Sequence, residues 1–271
     1  MSEGRLPLTI PVKPWFSDHC FAGKTVLPAV ETMLLLAARV AESYGELDIR
    51  VMENVRFVKF LEIPEGISAM DGLIDCEMRS DGSLEIQLLS RIQFKAMSRI
   101  KEHGSIVFFP VKSHSHKPLK MDLTQPEEAM TEIKVDDLYR ELVPFGPYYQ
   151  SLKKNLYLLG VEAWGELRAP DVTSDPVQEI IGSPFPLDGA FHAACVLGQQ
   201  TVDFVPFPVG FDRRVIVTPT RPGCDYRTKV RLVHKTEDEL VFDLVIFDDT
   251  GTVYETVAGL RMRDVSGALG R

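Results

Sequence analysis

The stretch Phe185–Val202, FPLDGAFHAACVLGQQTV, is the most informative segment of the chain for its fold. Apolar residues occupy most of its positions, and Pro186 suits the first turn of a helix, where a missing N–H costs nothing. A helix that is apolar nearly all round is a buried helix. The stretch therefore predicts a helix at the centre of a folded unit, in which Asp188 and His192 are polar exceptions.

An earlier segment, Pro28–Ser43, has the same character. One apolar helical face is formed by Val30, Met33, Leu34, Ala37 and Ala41. Three further apolar residues widen this face, namely Leu35, Leu36 and Val40. Pro28 again suits the first turn. The sequence thus predicts two buried helices, one in each half of the chain.

Strand-like runs bounded by turn signals follow each predicted helix. In the first half they are Ile49–Leu61, Ile67–Met78, Leu84–Ser90 and Ser98–Pro110. In the second half they are Phe211–Thr218, Tyr226–His234, Leu240–Asp248 and Thr252–Arg263. The segments ahead of the helices are predicted as a strand, a short helix, a strand pair and a polar loop, namely Leu6–Lys13, Val135–Leu142, Leu152–Arg168 and Asp171–Ser183.

This repeated order predicts two similar folded units. A central helix wrapped by an antiparallel sheet is the hotdog arrangement, so the predicted fold class is α+β, a double hotdog. The predicted repeats are residues 1–134 and 135–271, and the polar segment 111–134 at the end of the first is predicted to be a linker. His114 and His116 lie in that segment, where two histidines without further ligands favour a solvated loop over a metal site.

Composition and charge restrict the classes of function. The 271 residues are 45% hydrophobic and 25% charged, which is typical of a globular chain. The net charge of −9 argues against nucleic-acid binding, because phosphate binding needs a basic face. The four cysteines form no CxxC pair, so zinc-ribbon and thioredoxin-type sites have no support. The N-terminus lacks a signal-like apolar run and Val26–Val40 is too short to span a bilayer, so we expect a cytoplasmic protein without a membrane partner.

The first candidate site is the segment His19–Pro28, HCFAGKTVLP, which lies just before the first buried helix. Gly23 would let the backbone approach a ligand closely, and free N–H groups near a helix start can bind a developing negative charge. A histidine beside such donors has what is needed to remove a proton α to a carbonyl group. The alternative is that His19 is a loop histidine and Gly23 a turn residue.

The second candidate site is the pair Asp188 and His192. Their i, i+4 spacing places both side chains on one face of the second buried helix. A carboxylate within so apolar a helix is costly unless it is paired, and His192 could hydrogen-bond and orient it. The alternative is that Asp188 merely stabilises the positive N-terminal end of the helix.

Four motifs follow one another in the chain. They are HxxxGxxxxP at His19–Pro28, FGPYYQSL at Phe145–Leu152, DxxxH at Asp188–His192 and FPVGF at Phe207–Phe211. This ordered set resembles the motifs of the dehydratase domain of polyketide synthases, a double hotdog, including its Y-G-P-x-F-Q-G and LPxxL-like segments. The resemblance spans residues 19 to 211 and, with the repeat, essentially the whole chain.

The resemblance implies a hydro-lyase that removes water from a 3-hydroxyacyl thioester on an acyl carrier protein, giving a 2-enoyl thioester in polyketide or fatty-acid-like synthesis. His19 would take the α proton, Asp188 would protonate or orient the leaving hydroxyl, and His192 would hold Asp188. The backbone amide of Gly23 would bind the thioester carbonyl, and Pro28 would support the same motif. No metal or organic cofactor is expected, because the substrate arrives on phosphopantetheine. The implied substrate-tunnel residues are Phe145, Gly146, Pro147, Tyr149, Gln150 and Pro208.

The sequence departs from the family pattern at Phe145, where relatives often carry a tyrosine that can contact the substrate hydroxyl. Tyr148 or Tyr149 could take its place. A product-template cyclase, which guides aldol cyclisation and dehydration of a poly-β-keto chain, is the stronger enzymatic alternative. Relatives that shift a double bond usually lack a working aspartate, whereas Asp188 is present here. A non-catalytic acyl-chain binding or scaffold module is an alternative of another class. The presence of both His19 and Asp188 counts against it.

The expected partners are an acyl carrier protein and other synthase domains or subunits, and exposed sheet edges suggest a homodimer. Because carrier proteins tend to present acidic helices, we expect a basic patch near the tunnel mouth. The sequence offers two basic pairs for it, Lys153–Lys154 and Arg213–Arg214.

Overall fold

A computed structural model of the chain describes residues 5–93, 97–112, 117–126, 128, 130–173 and 175–265. The predicted solvated-loop histidines, His114 and His116, lie outside these ranges. The first half contains β1 (Leu6–Pro11), β2 (Cys20–Phe21), β3 (Lys24–Thr25), α1 (Ala29–Ser43), β4 (Val51–Phe57), β5 (Ala69–Met78), β6 (Leu84–Gln93) and β7 (Ser98–Phe108). The second half contains β8 (Thr131–Lys134), α2 (Val135–Glu141), β9 (Leu152–Leu159), β10 (Glu162–Arg168), α3 (Gln178–Ile181), α4 (Pro184–Gln199), β11 (Pro206–Ile216), β12 (Asp225–Lys235), β13 (Leu240–Phe247) and β14 (Val253–Asp264).

Twelve of these strands form one antiparallel sheet in the order β1-β5-β6-β7-β4-β11-β14-β13-β12-β10-β9-β8, while β2 and β3 form a separate hairpin. Strands of the first half occupy one end of the sheet, and strands of the second half occupy the other. The two sets meet where β4 pairs with β11. Gly210 lies in this pair with φ +149°, and a Cβ there would overlap the carbonyl oxygen of Val55, so glycine allows the halves to approach closely.

Each end of the sheet wraps one long helix. α4 packs against β9, β10, β12 and β13, whereas α1 packs against β6 and β7, and the two helices also contact each other. α4 is buried from Pro184 to Gly198, as its nearly continuous apolar sequence predicts. The predicted arrangement of two central helices wrapped by antiparallel sheet is therefore confirmed. The exact repeat boundary near residue 134 stays a prediction.

Several predicted element bounds change in the structure. The predicted linker ends in β8, an edge strand that pairs with β9, and the predicted loop Asp171–Ser183 contains the short helix α3. Pro28 is the residue before α1 in extended conformation, not part of its first turn. β11 begins at Pro206, so the segment Phe207–Phe211 is part of a strand. Among the described residues, none of the helices has the length and apolar character needed to cross a membrane.

Candidate active site

A cavity of about 310 Å³ lies between the two halves of the molecule. His19, from the loop before α1, lines it together with Asp188 and His192 from α4. Most of the remaining wall is aromatic or aliphatic. The fold therefore brings the two candidate sites, which are far apart in sequence, to one apolar cavity of the size typical of ligand sites.

Backbone contacts fix His19 in a defined orientation. Its N–H donates to the carbonyl oxygen of Phe16 at 3.0 Å, and its own carbonyl oxygen accepts the N–H of Val26 at 3.1 Å. Its Nδ1 lies 3.1 Å from the carbonyl oxygen of Val26, which can only accept a hydrogen bond. Nδ1 therefore carries the proton, which leaves Nε2 as the basic nitrogen.

Burial lowers the pKa of His19 below its ordinary value of 6.5, although the nearby charge of Asp188 partly opposes this shift. The ring stacks on Phe145 with centroids 4.3 Å apart, and Tyr149 meets it edge-on at 5.1 Å. This apolar packing removes water from one side of the imidazole. His19 is thus held as a neutral base at neutral pH.

Asp188 is buried at the wall of the cavity. It is the fifth residue of α4, and α4 has no acidic residue in its first turn. The interpretation that Asp188 only stabilises the helix terminus therefore loses its geometric basis, because that effect falls off beyond the first turn.

Asp188 and His192 are in contact but poorly aligned. Oδ2 of Asp188 lies 3.0 Å from Nε2 of His192. At the same time, neither atom has a well-directed hydrogen-bond partner among the residues that the structure describes. The short distance defines the pair, while the poor alignment leaves Asp188 able to interact with a ligand group.

Sequence reasoning missed Tyr139, which lies on α2. Its hydroxyl lies 3.2 Å from Nδ1 of His192 and accepts the N–H of Leu152 at 3.0 Å. The sequence could not reveal this contact. Tyr139 and His192 lie on helices that are far apart in the chain, and only the folded structure brings them together.

Gly23 occupies a tight turn of the backbone. Gly23 is exposed at the tip of the β2–β3 hairpin and is absent from the cavity wall, which neighbouring Ala22 does line. Ala22 and Gly23 both have positive φ, at 49° and 77°, as in a two-residue hairpin turn. Glycine suits the turn here, and the assignment of its amide to the thioester carbonyl stays a prediction. Pro28 is buried next to α1 and also lies outside the wall.

The predicted tunnel residues divide into two groups. Phe145 and Pro208 line the cavity, whereas the cavity wall does not include Gly146, Pro147, Tyr149 or Gln150. Gly146 donates its N–H to the carbonyl oxygen of Asp18 at 2.7 Å, so it joins this segment to the loop that carries His19. Tyr149 is fully buried behind His19. The segment therefore supports the histidine from behind, and the assignment of Gly146, Pro147, Tyr149 and Gln150 to the substrate tunnel stays a prediction.

A second histidine, His103, lines the same cavity from β7. Its Nδ1 lies 3.0 Å from the carbonyl oxygen of Lys59, and its Nε2 lies 2.7 Å from Oγ of Ser90. Because both ring nitrogens are engaged, and because burial lowers its pKa, His103 is held neutral as a structural residue. Lys59 itself is exposed beside the cavity, whose wall has no other lysine or arginine among the described residues.

Arg214 was expected to contribute to an exposed basic patch, and the structure contradicts this. Its guanidinium is buried against the carboxylate of Glu255, with an Nη2–Oε2 distance of 2.5 Å. It also donates to the carbonyl oxygen of Ile181 at 3.2 Å. Arg213, Lys153 and Lys154 likewise lie outside the wall of the cavity.

A third carboxyl, Glu31 on α1, is also buried and was not predicted. Its Oε1 accepts the indole N–H of Trp15 at 3.2 Å. Burial raises the pKa of Glu31 to about 7. Among the described residues, no group of three or more His, Cys, Asp or Glu side chains is arranged to hold a metal ion.

Several solved structures have the same fold. The dehydratase domain of the CurF module of curacin polyketide synthase aligns with a TM-score of 0.77 and 18% identity, covering 96% of this chain and 92% of that chain. A trans-AT polyketide synthase dehydratase domain from Brevibacillus brevis aligns with a TM-score of 0.76 and 16% identity, covering 96% and 93%. A bifunctional dehydratase-cyclase domain in ambruticin biosynthesis aligns with a TM-score of 0.72 and 18% identity, covering 96% and 91%. At these identities the similarity establishes the double hotdog fold alone.

No curated protein matches the sequence. A family model described as polyketide synthase dehydratase N-terminal domain does match, over residues 121–270. That range is more than half of the chain and includes Asp188 and His192. The chain therefore belongs to the polyketide synthase dehydratase family, a family of dehydratase enzymes.

Proposed function

We propose that the protein removes water from a 3-hydroxyacyl thioester, carried on the phosphopantetheine of an acyl carrier protein, and releases a 2-enoyl thioester. The observation that carries the proposal is the placement of His19 and Asp188 on the wall of one apolar cavity. One residue comes from each half of the chain, so neither half alone would contain a complete site.

The proposed reaction uses one base and one acid. Nε2 of His19 takes the α proton of the thioester, and the electrons of that C–H bond form the new double bond. The C–O bond at the β carbon breaks as protonated Asp188 gives its proton to the departing hydroxyl, which leaves as water. Turnover leaves His19 protonated and Asp188 ionised, and exchange with solvent restores both. The step as written balances without a cofactor, and the substrate brings its own phosphopantetheine.

The largely apolar wall of the cavity favours a substrate with an apolar acyl chain. Six phenylalanines contribute to it, namely Phe21, Phe57, Phe60, Phe145, Phe191 and Phe207. Phe145 offers no hydroxyl to a polar substrate group, and burial of apolar surface would supply the binding free energy. A poly-β-keto chain would place many carbonyl oxygens against this surface at a cost in desolvation.

The test is direct. The purified protein is incubated with a 3-hydroxyacyl thioester of pantetheine, and formation of the enoyl thioester is followed by its absorbance and by mass spectrometry. We expect activity in the wild type and losses of about 100-fold or more in both His19→Ala and Asp188→Asn. Undiminished activity in both variants would remove the basis of the mechanism, and a cyclised product from a poly-β-keto substrate would favour the cyclase instead.

The carrier protein needs a docking contact at the cavity mouth, and Lys59 is placed to provide one. Val58 and Lys59 are exposed and also line the cavity, so the cavity opens to solvent beside them. We expect Lys59→Glu to raise the KM for carrier-bound substrate severalfold, because it reverses a charge that faces an acidic partner.

Two comparisons make the Lys59 prediction specific. The KM for a free pantetheine thioester should stay near that of the wild type, because this substrate brings no acidic protein. Lys154→Glu is the matched control, since Lys154 is exposed but lies away from the cavity wall. Equal effects of the two variants on carrier-bound substrate would count against docking at Lys59.

A further inference from the structure

Tyr139 lies behind the candidate catalytic pair and outside the wall of the cavity. It is buried on α2, and its ring meets that of His192 edge-on with centroids 5.7 Å apart. Its hydroxyl reaches Nδ1 of His192 and, on its other side, the backbone at the start of β9. Tyr139 therefore connects the backbone of the second repeat to His192 without access to substrate.

The direction of these hydrogen bonds follows from the groups present. The N–H of Leu152 can only donate, so the hydroxyl oxygen of Tyr139 accepts there at 3.0 Å. A buried hydroxyl needs an acceptor for its own hydrogen, and Nδ1 of His192 at 3.2 Å is in position to accept it. Burial raises the pKa of Tyr139, which keeps that hydrogen in place.

We propose that Tyr139 is a positioning residue for the proposed dehydration: its hydroxyl donates to Nδ1 of His192 and so places the imidazole proton on Nε2, which faces Asp188. The inference rests on the proposed function for its catalytic consequence, but the hydrogen-bond pattern itself does not. Nε2 lies 3.0 Å from Oδ2 of Asp188, so this tautomer brings an N–H, and not a lone pair, next to the carboxyl group.

The alternative tautomer shows why this matters. With the proton on Nδ1, the nitrogen that lies 3.0 Å from Oδ2 of Asp188 would carry a lone pair in place of a proton. That lone pair would repel an ionised Asp188 and would compete with the leaving hydroxyl for the hydrogen of a protonated Asp188. A fixed tautomer therefore keeps the acid available to the substrate.

Tyr139→Phe tests the proposal, because it removes the hydroxyl and keeps the ring. We expect kcat to fall about tenfold or more with KM little changed, since Tyr139 does not touch the substrate. Tyr226→Phe is the matched control. Tyr226 is also buried, and its hydroxyl also accepts a backbone N–H, that of Arg221 at 2.7 Å, but away from the cavity wall. Its kcat should remain within about twofold of the wild type.

A double-mutant cycle separates positioning from general packing. His192→Gln abolishes the tautomer choice, so adding Tyr139→Phe to it should change kcat by about twofold or less. An additive loss, or an equal loss in Tyr226→Phe, would overturn the proposal.

Nitrogen NMR of labelled His192 gives a readout that does not depend on activity. We expect Nδ1 unprotonated and Nε2 protonated in the wild type, with this preference lost in Tyr139→Phe. An unchanged tautomer in the variant would overturn the proposal. If the wild type shows no dehydration at all, the proposed function fails, and the NMR comparison still decides whether Tyr139 directs the His192 proton.

Discussion

At the scale of single residues, burial gives the two candidate catalytic groups their chemistry. His19 has its Nδ1 proton bound to the carbonyl of Val26, so the imidazole presents one nitrogen as a base. Asp188 is buried beside His192 without a well-aligned hydrogen bond in the described part of the chain. A group that is buried and incompletely satisfied is costly for stability and useful for catalysis.

The pKa shift of His19 predicts the acid side of the pH profile. A base is active when it is neutral, and burial lowers the pKa of His19 below 6.5. As pH falls, kcat/KM should therefore decline along an acid limb that is centred below pH 6.5. A profile of kcat/KM for the free thioester substrate measures this directly, and an acid limb centred clearly above pH 6.5 would contradict it.

Asp188 also predicts an effect on stability. Asp188→Asn replaces a buried carboxyl group that has no well-directed hydrogen bond at Oδ2 among the described residues, and it keeps the shape of the side chain. Thermal unfolding should therefore occur at the same or a higher temperature than in the wild type. Activity should be lost in the same variant. A melting temperature several degrees lower would instead indicate that Asp188 has a structural role.

At the scale of secondary-structure elements, α1 holds an unexpected carboxyl. Glu31 is in the first turn of α1, but the residue before the helix is Pro28, which has no N–H for a glutamate to cap. The side chain instead accepts the indole N–H of Trp15, in the short 3-10 helix Pro14–Asp18 that precedes His19. α1 is thereby joined to the loop that carries the base.

Glu31 predicts that stability depends on pH. Burial raises its pKa in the folded protein from 4.5 to about 7, so the folded state retains a proton that the unfolded state releases. The contribution of this proton to the free energy of unfolding is fully present below about pH 4.5. It is lost as pH rises through about 7, which lowers the free energy of unfolding by about 3 kcal/mol. Glu31→Gln keeps an acceptor for Trp15 and does not titrate. It should therefore exceed the wild type in stability at pH 8, with the difference narrowing toward pH 5.

Denaturant unfolding of both proteins at pH 5 and pH 8 measures this difference. Glu42→Gln is the matched control, because Glu42 lies on the same helix with an exposed side chain paired to Arg39. Parallel pH dependence in Glu31→Gln and the wild type would contradict the role assigned to Glu31.

At the scale of the whole molecule, the twelve-stranded sheet joins the halves and the cavity forms between them. The β4–β11 pair is the junction, and Arg214 on β11 strengthens the structure behind it. Its buried guanidinium binds Glu255 on β14 and the last residue of α3, Ile181. These contacts connect the sheet to the segment that leads into α4, on which Asp188 lies.

Removing Arg214 should therefore destabilise the protein strongly. Arg214→Ala leaves Glu255 buried without its cation, so we expect a loss of about 3–5 kcal/mol in unfolding free energy. The adjacent Arg213, partly exposed and 3.2 Å from Glu53, is the matched control, and Arg213→Ala should lose about 1 kcal/mol or less. Similar losses in the two variants, measured by denaturant unfolding, would contradict this difference.

The double hotdog was predictable because its signals are local. Two apolar helices and the alternating strands after each one are patterns of period 3.6 and 2 within short segments. His19, Asp188 and His192 could be singled out because they are polar residues in or beside apolar helices. Tyr139 and Glu31 could not, because a tyrosine and a glutamate are ordinary residues in a helix until their burial is known.

Local sequence patterns therefore predicted the fold class and the family, and they indicated the residues of the two candidate sites. The tertiary structure alone decided which of those residues meet, since cavity walls and buried contacts join segments far apart in the chain. Gly23 and most residues of the Phe145–Leu152 segment lie outside the cavity wall, and Arg214 is buried. Local periodicity specifies elements, whereas burial and hydrogen-bond partners depend on how those elements pack.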